Sequence, residues 1–152
     1  LPMIRKAVPG VTAAIGGKVS ESAEARRDAE GAGVRLAGYV SSASEFIASG
    51  RVFAAPIVAG GGVKVKILEA MACGVPVVTT PIGAEGIACE NGADCLIARD
   101  DAAFAQGVAA LLASPGRREE IARCARERLR ARAAGGAFYR RCDRMLEEAL
   151  AL

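Results

Sequence analysis

Three consecutive glycines, residues 60–62, lie directly before a run of apolar residues that contains one carboxylate, Glu69. A glycine loop lets a ligand approach the backbone closely, because no side chain intervenes. The N–H groups at the start of a following helix attract anions. A carboxylate one and a half turns farther along can accept hydrogen bonds from sugar hydroxyls. Together these features predict binding of a sugar attached to a diphosphate.

The environment of Glu69 leaves two interpretations open. Its predicted helix, residues 63–73, carries apolar residues on nearly all sides, and such a helix is usually buried. A shielded carboxylate needs a partner. The partner is either Lys66, three residues away on the same helix, or the hydroxyls of a bound ribose. Lys64 or Lys66 could contact a phosphate, or both lysines could lie in solvent or pair with Glu69.

The composition favours one α/β domain. The chain has 152 residues, 52% of them hydrophobic and only 4% aromatic, with 18 glycines. Small residues and glycines allow helices to pack closely on a sheet. The net charge of +3 is mild, and the arginines of 117–144 alternate with acids, so a solvated helix face is expected there and no nucleic-acid partner.

The order of the elements predicts a parallel sheet covered by helices on both faces. Strands are predicted at 11–15, 34–40, 52–55, 75–79 and 95–98. Helices are predicted at 1–8, 20–29, 63–73, 100–113, 115–132 and 138–150, with a short helix or turn at 41–48 and a break at 133–136. In such a sheet, ligands bind at the carboxyl ends of the strands. Gly16, Val40, 56–62 and the glycine loop 81–86 should share that edge.

The cysteines and the absence of histidine limit which metal sites and catalytic groups this chain can form. There are five cysteines and no histidine, with no C-x-x-C pair, which disfavours a zinc site and excludes a Ser-His-Asp or Cys-His catalytic group. Cys73 is expected to be a small core residue. The cysteine pattern predicts a reducing, cytoplasmic location, and neither a signal peptide nor a membrane span is expected.

Two common nucleotide motifs are excluded. A dinucleotide fingerprint that begins at Gly60 would need glycine where Val65 stands. A phosphate loop that ends at residues 17–18 would need a hydroxyl at Val19 and a glycine at Thr12.

Residues 61–78 read G-G-V-K-V-K-I-L-E-A-M-A-C-G-V-P-V-V. This run resembles the E-G-F-G-x-P-x-x-E-A-M-A-x-G-x-P-V-V pattern of two-domain (GT-B) retaining glycosyltransferases of family 4. The V-R-L-A-G-Y-V run at 34–40, G-A-E-G at 83–86 and N-G-A-D-C-L-I at 91–97 also resemble that family. The resemblance implies a Rossmann-like parallel sheet of about five strands with helices on both faces.

The resemblance implies roles for residues of the donor site. Glu69 would hold the donor ribose, Val40 would contact the base through its main chain, and backbone N–H groups after the glycines would hold the diphosphate or the sugar. The resemblance implies that the donor is a nucleoside-diphosphate sugar of UDP, GDP or ADP type. It implies neither a metal nor a tightly bound cofactor. The implied binding residues are Gly16, Val40, Gly61, Gly62, Val63, Lys64, Val65 and Glu69.

Two departures from the family pattern matter. Gly61 occupies the position of the first glutamate, which contacts the transferred sugar, so donor recognition must differ. A related G-G-G-x-K-x-K form of the loop makes a variant site reasonable. Residues 1–6 match the end of the donor domain's first helix. We therefore expect 1–152 to be the C-terminal, nucleotide-sugar-binding domain without its first strand, the acceptor domain to be absent, and the isolated chain to be inactive.

The expected function is donor binding in a retaining glycosyltransferase. An acceptor glycan, lipid or small molecule would bind through the missing N-terminal domain, and the full-length protein could associate peripherally with a membrane. The alternative is a non-catalytic module that binds nucleotide or a partner protein. A nucleotide-sugar epimerase is a weaker reading, because no acid/base group for it is found. Exposed Phe138, Tyr139, Met145 and Leu146 would favour self-association.

Overall fold

The computed structural model describes residues 1–17 and 23–134 of the chain. This part contains five strands and seven helices. In chain order they are α1 (Pro2–Ala7), β1 (Ala13–Gly16), α2 (Ala23–Ala32), β2 (Val34–Gly38), α3 (Ala43–Ala48), β3 (Phe53–Ala55), α4 (Val65–Ala72), β4 (Val77–Thr79), α5 (Pro81–Ala84), β5 (Leu96–Ile97), α6 (Asp101–Ala113) and α7 (Pro115–Ala134).

All strand pairs are parallel, as predicted, but the strands form two sheets rather than one continuous sheet. One sheet has the order β1-β2 and the other β3-β4-β5. Ala13 is paired with Val34 in the first sheet, and Phe53 with Val77 in the second. Within the described residues, β1 pairs only with β2 and β3 only with β4. The sheet is split because no described strand pairs with both the free edge of β1 and the free edge of β3.

The three-stranded sheet has helices on both faces, which confirms that prediction. Successive side chains of a strand point to opposite faces, and β4 shows the result. Val77 packs into a cluster with Ile67 and Met71 of α4, whereas Val78 packs into a second cluster with Leu111 of α6. Both valines are fully buried.

Local capping signals set several helix boundaries where the sequence predicts them. The Asp100 carboxylate accepts the Ala103 N–H at 2.7 Å and begins α6. At the end of α4, Gly74 has φ of +75°. The Gly74 N–H donates to Met71 at 3.1 Å and the Val75 N–H to Ala70 at 2.9 Å. This is the Schellman motif that a glycine after a helix favours.

Three predicted boundaries are corrected. The helix after the glycine loop begins at Val65, two residues later than expected, and a short helix, α5, lies inside the predicted loop 81–86. The last described helix runs through Ala134, so no break occurs at Ala133. The remainder of that break, the predicted helix 138–150 and its apolar patch lie outside the described residues.

Helix α7 carries the charged face that the arginine-rich sequence predicts. Arg117 pairs with Glu120 at 2.6 Å and Arg123 with Glu127 at 3.1 Å, all with exposed side chains. Among the described residues, no helix combines the length and the apolar character needed to cross a membrane.

Candidate functional site

The glycine loop follows β3 and leads directly into α4. Gly60 and Gly62 have φ of +116° and +73°, a left-handed conformation that glycine adopts without a steric penalty. Lys64 is the N-cap of α4, and its side chain makes no capping hydrogen bond. The first N–H groups of a helix have no intrahelical acceptor. This end of α4 therefore offers donors to an anion.

The Lys64 side chain folds back over the loop. Its ammonium donates to the carbonyl oxygens of Gly60 at 3.0 Å and of Gly62 at 2.7 Å. Contact with these loop carbonyls was not among the alternatives that the sequence left open for Lys64, which were a phosphate, solvent and Glu69. A positive charge is thereby held next to the start of α4.

Glu69 forms the ion pair with Lys66, at 2.8 Å, that was one of its two predicted interactions. The expectation that this helix is buried on all sides is wrong. Val63 and Val65 are 50% and 59% exposed, whereas the covered side of α4 packs on α3, β3, β4 and α7. Glu69 is 35% exposed, so solvent and solutes can reach its carboxylate.

A second loop, after β4, lies beside the glycine loop. A Cβ on Gly86 would come within 2.9 Å of Val63 Cγ2. Thr80 links the two segments, because its hydroxyl donates to the Ile57 carbonyl and accepts the Gly83 N–H at 3.1 Å. The carboxyl ends of β3 and β4 thus share one edge, as predicted for 56–62 and 81–86.

The close packing of Gly83 was missed by sequence reasoning. A Cβ on Gly83 would lie 2.0 Å from Thr79 Oγ1. Thr79 is fully buried, and its hydroxyl donates to the Ala55 carbonyl at 3.0 Å. The T-T-P-x-G pattern carried a usable signal, since threonine before proline is typical of a helix start.

Gly16 and Val40 meet at the end of the two-stranded sheet. A Cβ on Gly16 would lie 3.1 Å from Val40 Cγ1 and 3.0 Å from a ring carbon of Phe46. Tyr39, next to Val40, is 75% exposed and was not among the predicted residues. The only signal for Tyr39 in the sequence is an aromatic residue directly before the predicted base contact, Val40. The eight predicted residues thus form two groups, one at the end of each sheet.

The glycine-loop group lies outside two concavities of the described surface. A concavity of about 440 Å³ lies between α2 and β2, and one of about 270 Å³ lies near the start of α7. Neither is lined by any of the eight predicted residues.

The family model described as Glycosyl transferases group 1 matches residues 1–114, which is 114 of the 152 residues. The chain belongs to this family. No curated protein matches this family member at a significant level.

Solved structures show that this glycosyltransferase domain has the Rossmann-like fold found in GT-B enzymes. Sucrose-phosphate synthase from Thermosynechococcus elongatus is 21% identical, with a TM-score of 0.71 over 95% of this chain and 42% of that one. HepE from Anabaena, solved in complex with UDP-glucose, is 20% identical with a TM-score of 0.68 over 83% of this chain. The C-terminal domain of LpcC from Francisella tularensis is 18% identical, with a TM-score of 0.65 over 82% of this chain and 70% of that one. The family member spans only 39% of HepE.

Proposed function

We propose that the chain is the donor-binding domain of a retaining glycosyltransferase, which transfers a sugar from a nucleoside-diphosphate sugar to an acceptor. The observation that carries the proposal is the arrangement of the glycine loop, the uncapped start of α4 and Glu69 on that same helix. Membership in the glycosyl transferases group 1 family supports it.

The start of α4 is suited to a diphosphate. Its N–H groups and the Lys64 ammonium supply positive electrostatic potential, while Gly61 and Gly62 present no side chain that would keep a phosphate away. A Cβ on Gly61 would contact nothing within 4 Å, so the loop is open on that side. In the proposed complex, a phosphate replaces the loop carbonyls as the partner of Lys64.

Glu69 is suited to the ribose hydroxyls. Its ion pair with Lys66 is exposed to solvent, and such a pair contributes only a few tenths of a kcal/mol. A ribose diol can therefore displace Lys66 at little cost. The carboxylate is four residues, about one turn, from Val65 at the start of α4, a distance that suits a ribose attached to a diphosphate bound there.

The base is proposed to bind near Gly16 and Val40, with the exposed Tyr39 ring available for stacking. Two structural neighbours support a nucleotide-sugar donor, since HepE was solved with UDP-glucose and TarM from S. aureus with UDP. UDP is accordingly the first nucleotide to test against GDP and ADP.

In this proposal the protein's contribution to catalysis is electrostatic. Charge develops on the departing diphosphate, and oriented N–H groups with a nearby ammonium stabilise it. The acceptor, a glycan, lipid or small molecule, binds through a second domain that closes the cleft. The chain alone is proposed to bind nucleotide and to turn over nothing.

We also propose that the complete donor domain has one more strand, between β1 and β3, supplied by the protein outside residues 1–152. The edges of β1 and β3 that face away from β2 and β4 have no partner among the described residues. Ile15 of β1 is apolar yet 49% exposed. Hydrogen exchange would test this, because the longer protein should protect the amides of β1 and β3 more strongly than residues 1–152 do.

Ligand-observed NMR titration with UDP, GDP, ADP and inorganic phosphate tests the donor site. We expect one nucleoside diphosphate to bind, and Glu69→Ala to weaken that binding about tenfold, the effect of losing a hydrogen bond to a charged group. Phosphate alone should be affected little by Glu69→Ala, because it occupies only the end of α4.

Lys66→Ala is the matched control, since it removes the same ion pair but keeps the carboxylate. It should bind nucleotide as well as the wild type does, or more tightly. Equal loss in both variants would show that Glu69 acts only through its ion pair, and binding unchanged in both would overturn the assignment of the ribose.

Gly61 favours a second candidate, a non-catalytic module that binds nucleotide only. The family's sugar-contacting acid is absent at this position. A transfer assay on the protein with its acceptor domain separates the two functions. Binding without transfer in the wild type, and transfer gained in Gly61→Glu, would support the non-catalytic module.

A further inference from the structure

Two cysteines and an aspartate come together in the loop between α5 and β5. The sulfur atoms of Cys89 and Cys95 and a carboxylate oxygen of Asp94 all lie within 4.8 Å of one another. Cys95 is fully buried and Cys89 is half-buried. The cysteines stand six positions apart, and this spacing gave no sign of the contact in the sequence.

The loop holds the two sulfur atoms in place. The Asp94 carboxylate accepts the Glu90 N–H at 2.7 Å, and the Asp94 N–H donates to the Glu90 carbonyl at 3.2 Å. Arg128 of α7 donates to the Glu90 carboxylate at 2.9 Å and forms an ion pair with Asp94. Ala88, directly before Cys89, has φ of +52°, which is uncommon for a residue with a side chain.

The two thiols differ in acidity. The Cys95 thiol donates to the Glu90 carbonyl at 3.9 Å. The neighbouring Cys95 side chain lowers the pKa of Cys89 below its ordinary value, while burial and the Asp94 charge oppose this and Arg128 assists it. The neighbouring Cys89 side chain, together with burial, raises the pKa of Cys95. Cys89 is therefore the better nucleophile and is also the more accessible of the two.

A divalent metal fits this cluster poorly. One Asp94 oxygen already accepts the Glu90 N–H. The other has no well-aligned hydrogen bond, but it lies in ion-pair contact with the Arg128 guanidinium, whose positive charge occupies the place of a cation. Two sulfur ligands remain, fewer than a zinc site uses.

We propose that Cys89 and Cys95 are a redox modification site that forms an intramolecular disulfide when the protein meets a hydroperoxide. The Cys89 thiolate attacks one peroxide oxygen, so that an S–O bond forms, the O–O bond breaks and Cys89 becomes a sulfenic acid. The second peroxide oxygen leaves as hydroxide and takes up the proton that the Cys89 thiol released, which gives the first water. The Cys95 sulfur then attacks the Cys89 sulfur, forming the S–S bond and releasing hydroxide, which takes the Cys95 proton. Two thiols are oxidised, and hydrogen peroxide is reduced to two waters.

Peptide mapping of the full chain after limited treatment with hydrogen peroxide tests the proposal. Cleavage after Glu90 separates the two cysteines, so the bridge holds together two peptides that a reductant releases. We expect this linked pair, and a fall from five free thiols per chain to three. The mapping uses the wild-type chain and does not depend on a variant that folds.

Matched variants sharpen the result. Cys89→Ser and Cys95→Ala should abolish the linked pair, whereas Cys124→Ser, a half-buried cysteine of α7, should keep it. A bridge from Cys89 to any other cysteine, or oxidation of Cys89 to a sulfinic acid with Cys95 still free, would overturn the proposal. Retention of all five thiols would do the same.

Discussion

Two strand-helix-strand units of this molecule have the same order of elements but very different burial. In the second unit, β3-α4-β4, the side chains of Ile67, Met71 and Val77 are at most 1% exposed. In the first unit, β1-α2-β2, Ile15 is 49% exposed, and Ala29 is the buried residue among those of α2 whose burial is described. The second unit lies between helices on both faces, whereas the first pairs β1 and β2 alone.

The difference shows that a parallel strand pair gains a core only when neighbouring elements cover it. Stability should therefore be concentrated in the unit that carries the proposed phosphate end of the site. The proposed base end, near Gly16 and Val40, belongs to the less covered unit. Four variants test how sharp this division is.

The largest effect is expected from Met71→Ala. Met71 is 1% exposed, and truncation of a buried large side chain costs about 2–5 kcal/mol in the free energy of unfolding. Ile15→Ala in the first unit should cost about 1 kcal/mol or less, because half of that side chain is already in water. Urea denaturation followed by circular dichroism measures both, and equal losses would contradict the comparison.

Gly83→Ala should destabilise the second unit next most strongly. The new methyl group would overlap the buried Thr79 hydroxyl, and overpacking of this kind costs about 1–3 kcal/mol. Gly61→Ala is the control, since its methyl group would contact nothing within 4 Å. The midpoint of thermal unfolding should be lower for Gly83→Ala than for Gly61→Ala. A Gly83→Ala protein as stable as the wild type would show that the Thr79 side chain can rotate to make room for the methyl group.

Thr80→Ala should have a smaller effect, because it removes a helix cap and the link between the two loops. The lost bonds are the one from the Gly83 N–H and the one to the Ile57 carbonyl. Loss of a cap costs about 1 kcal/mol. Thr80→Ser keeps the hydroxyl and should restore most of the stability, so a Ser variant as unstable as the Ala variant would point to lost packing instead.

The smallest effect is expected from Lys66→Ala. The pair with Glu69 is largely exposed, so the free energy of unfolding should change by no more than about 0.5 kcal/mol. The change should shrink further in high salt, because screening weakens exposed ion pairs. A salt-independent loss above that value would show that this pair supports the second unit.

Most of the local structure was predictable, because its causes lie a few residues apart. The caps at Asp100 and Gly74 and the Lys66–Glu69 pair all depend on spacings of three to five residues. The exposure of Val63 and Val65 was not predictable in this way. An apolar pattern shows what a helix can bury, but the elements packed against it decide which side is covered.

The sequence by itself determined the order of the elements apart from α5, the parallel direction of the strands and the glycine loop at the start of a helix, since these follow from local spacing and from the family pattern. Only the tertiary structure decided the division into two sheets, the contact of Gly86 with Val63, the close approach of Gly83 to Thr79 and the pairing of Cys89 with Cys95. These features depend on which distant backbone segments pack together, and packing selects one arrangement from many that the local pattern permits.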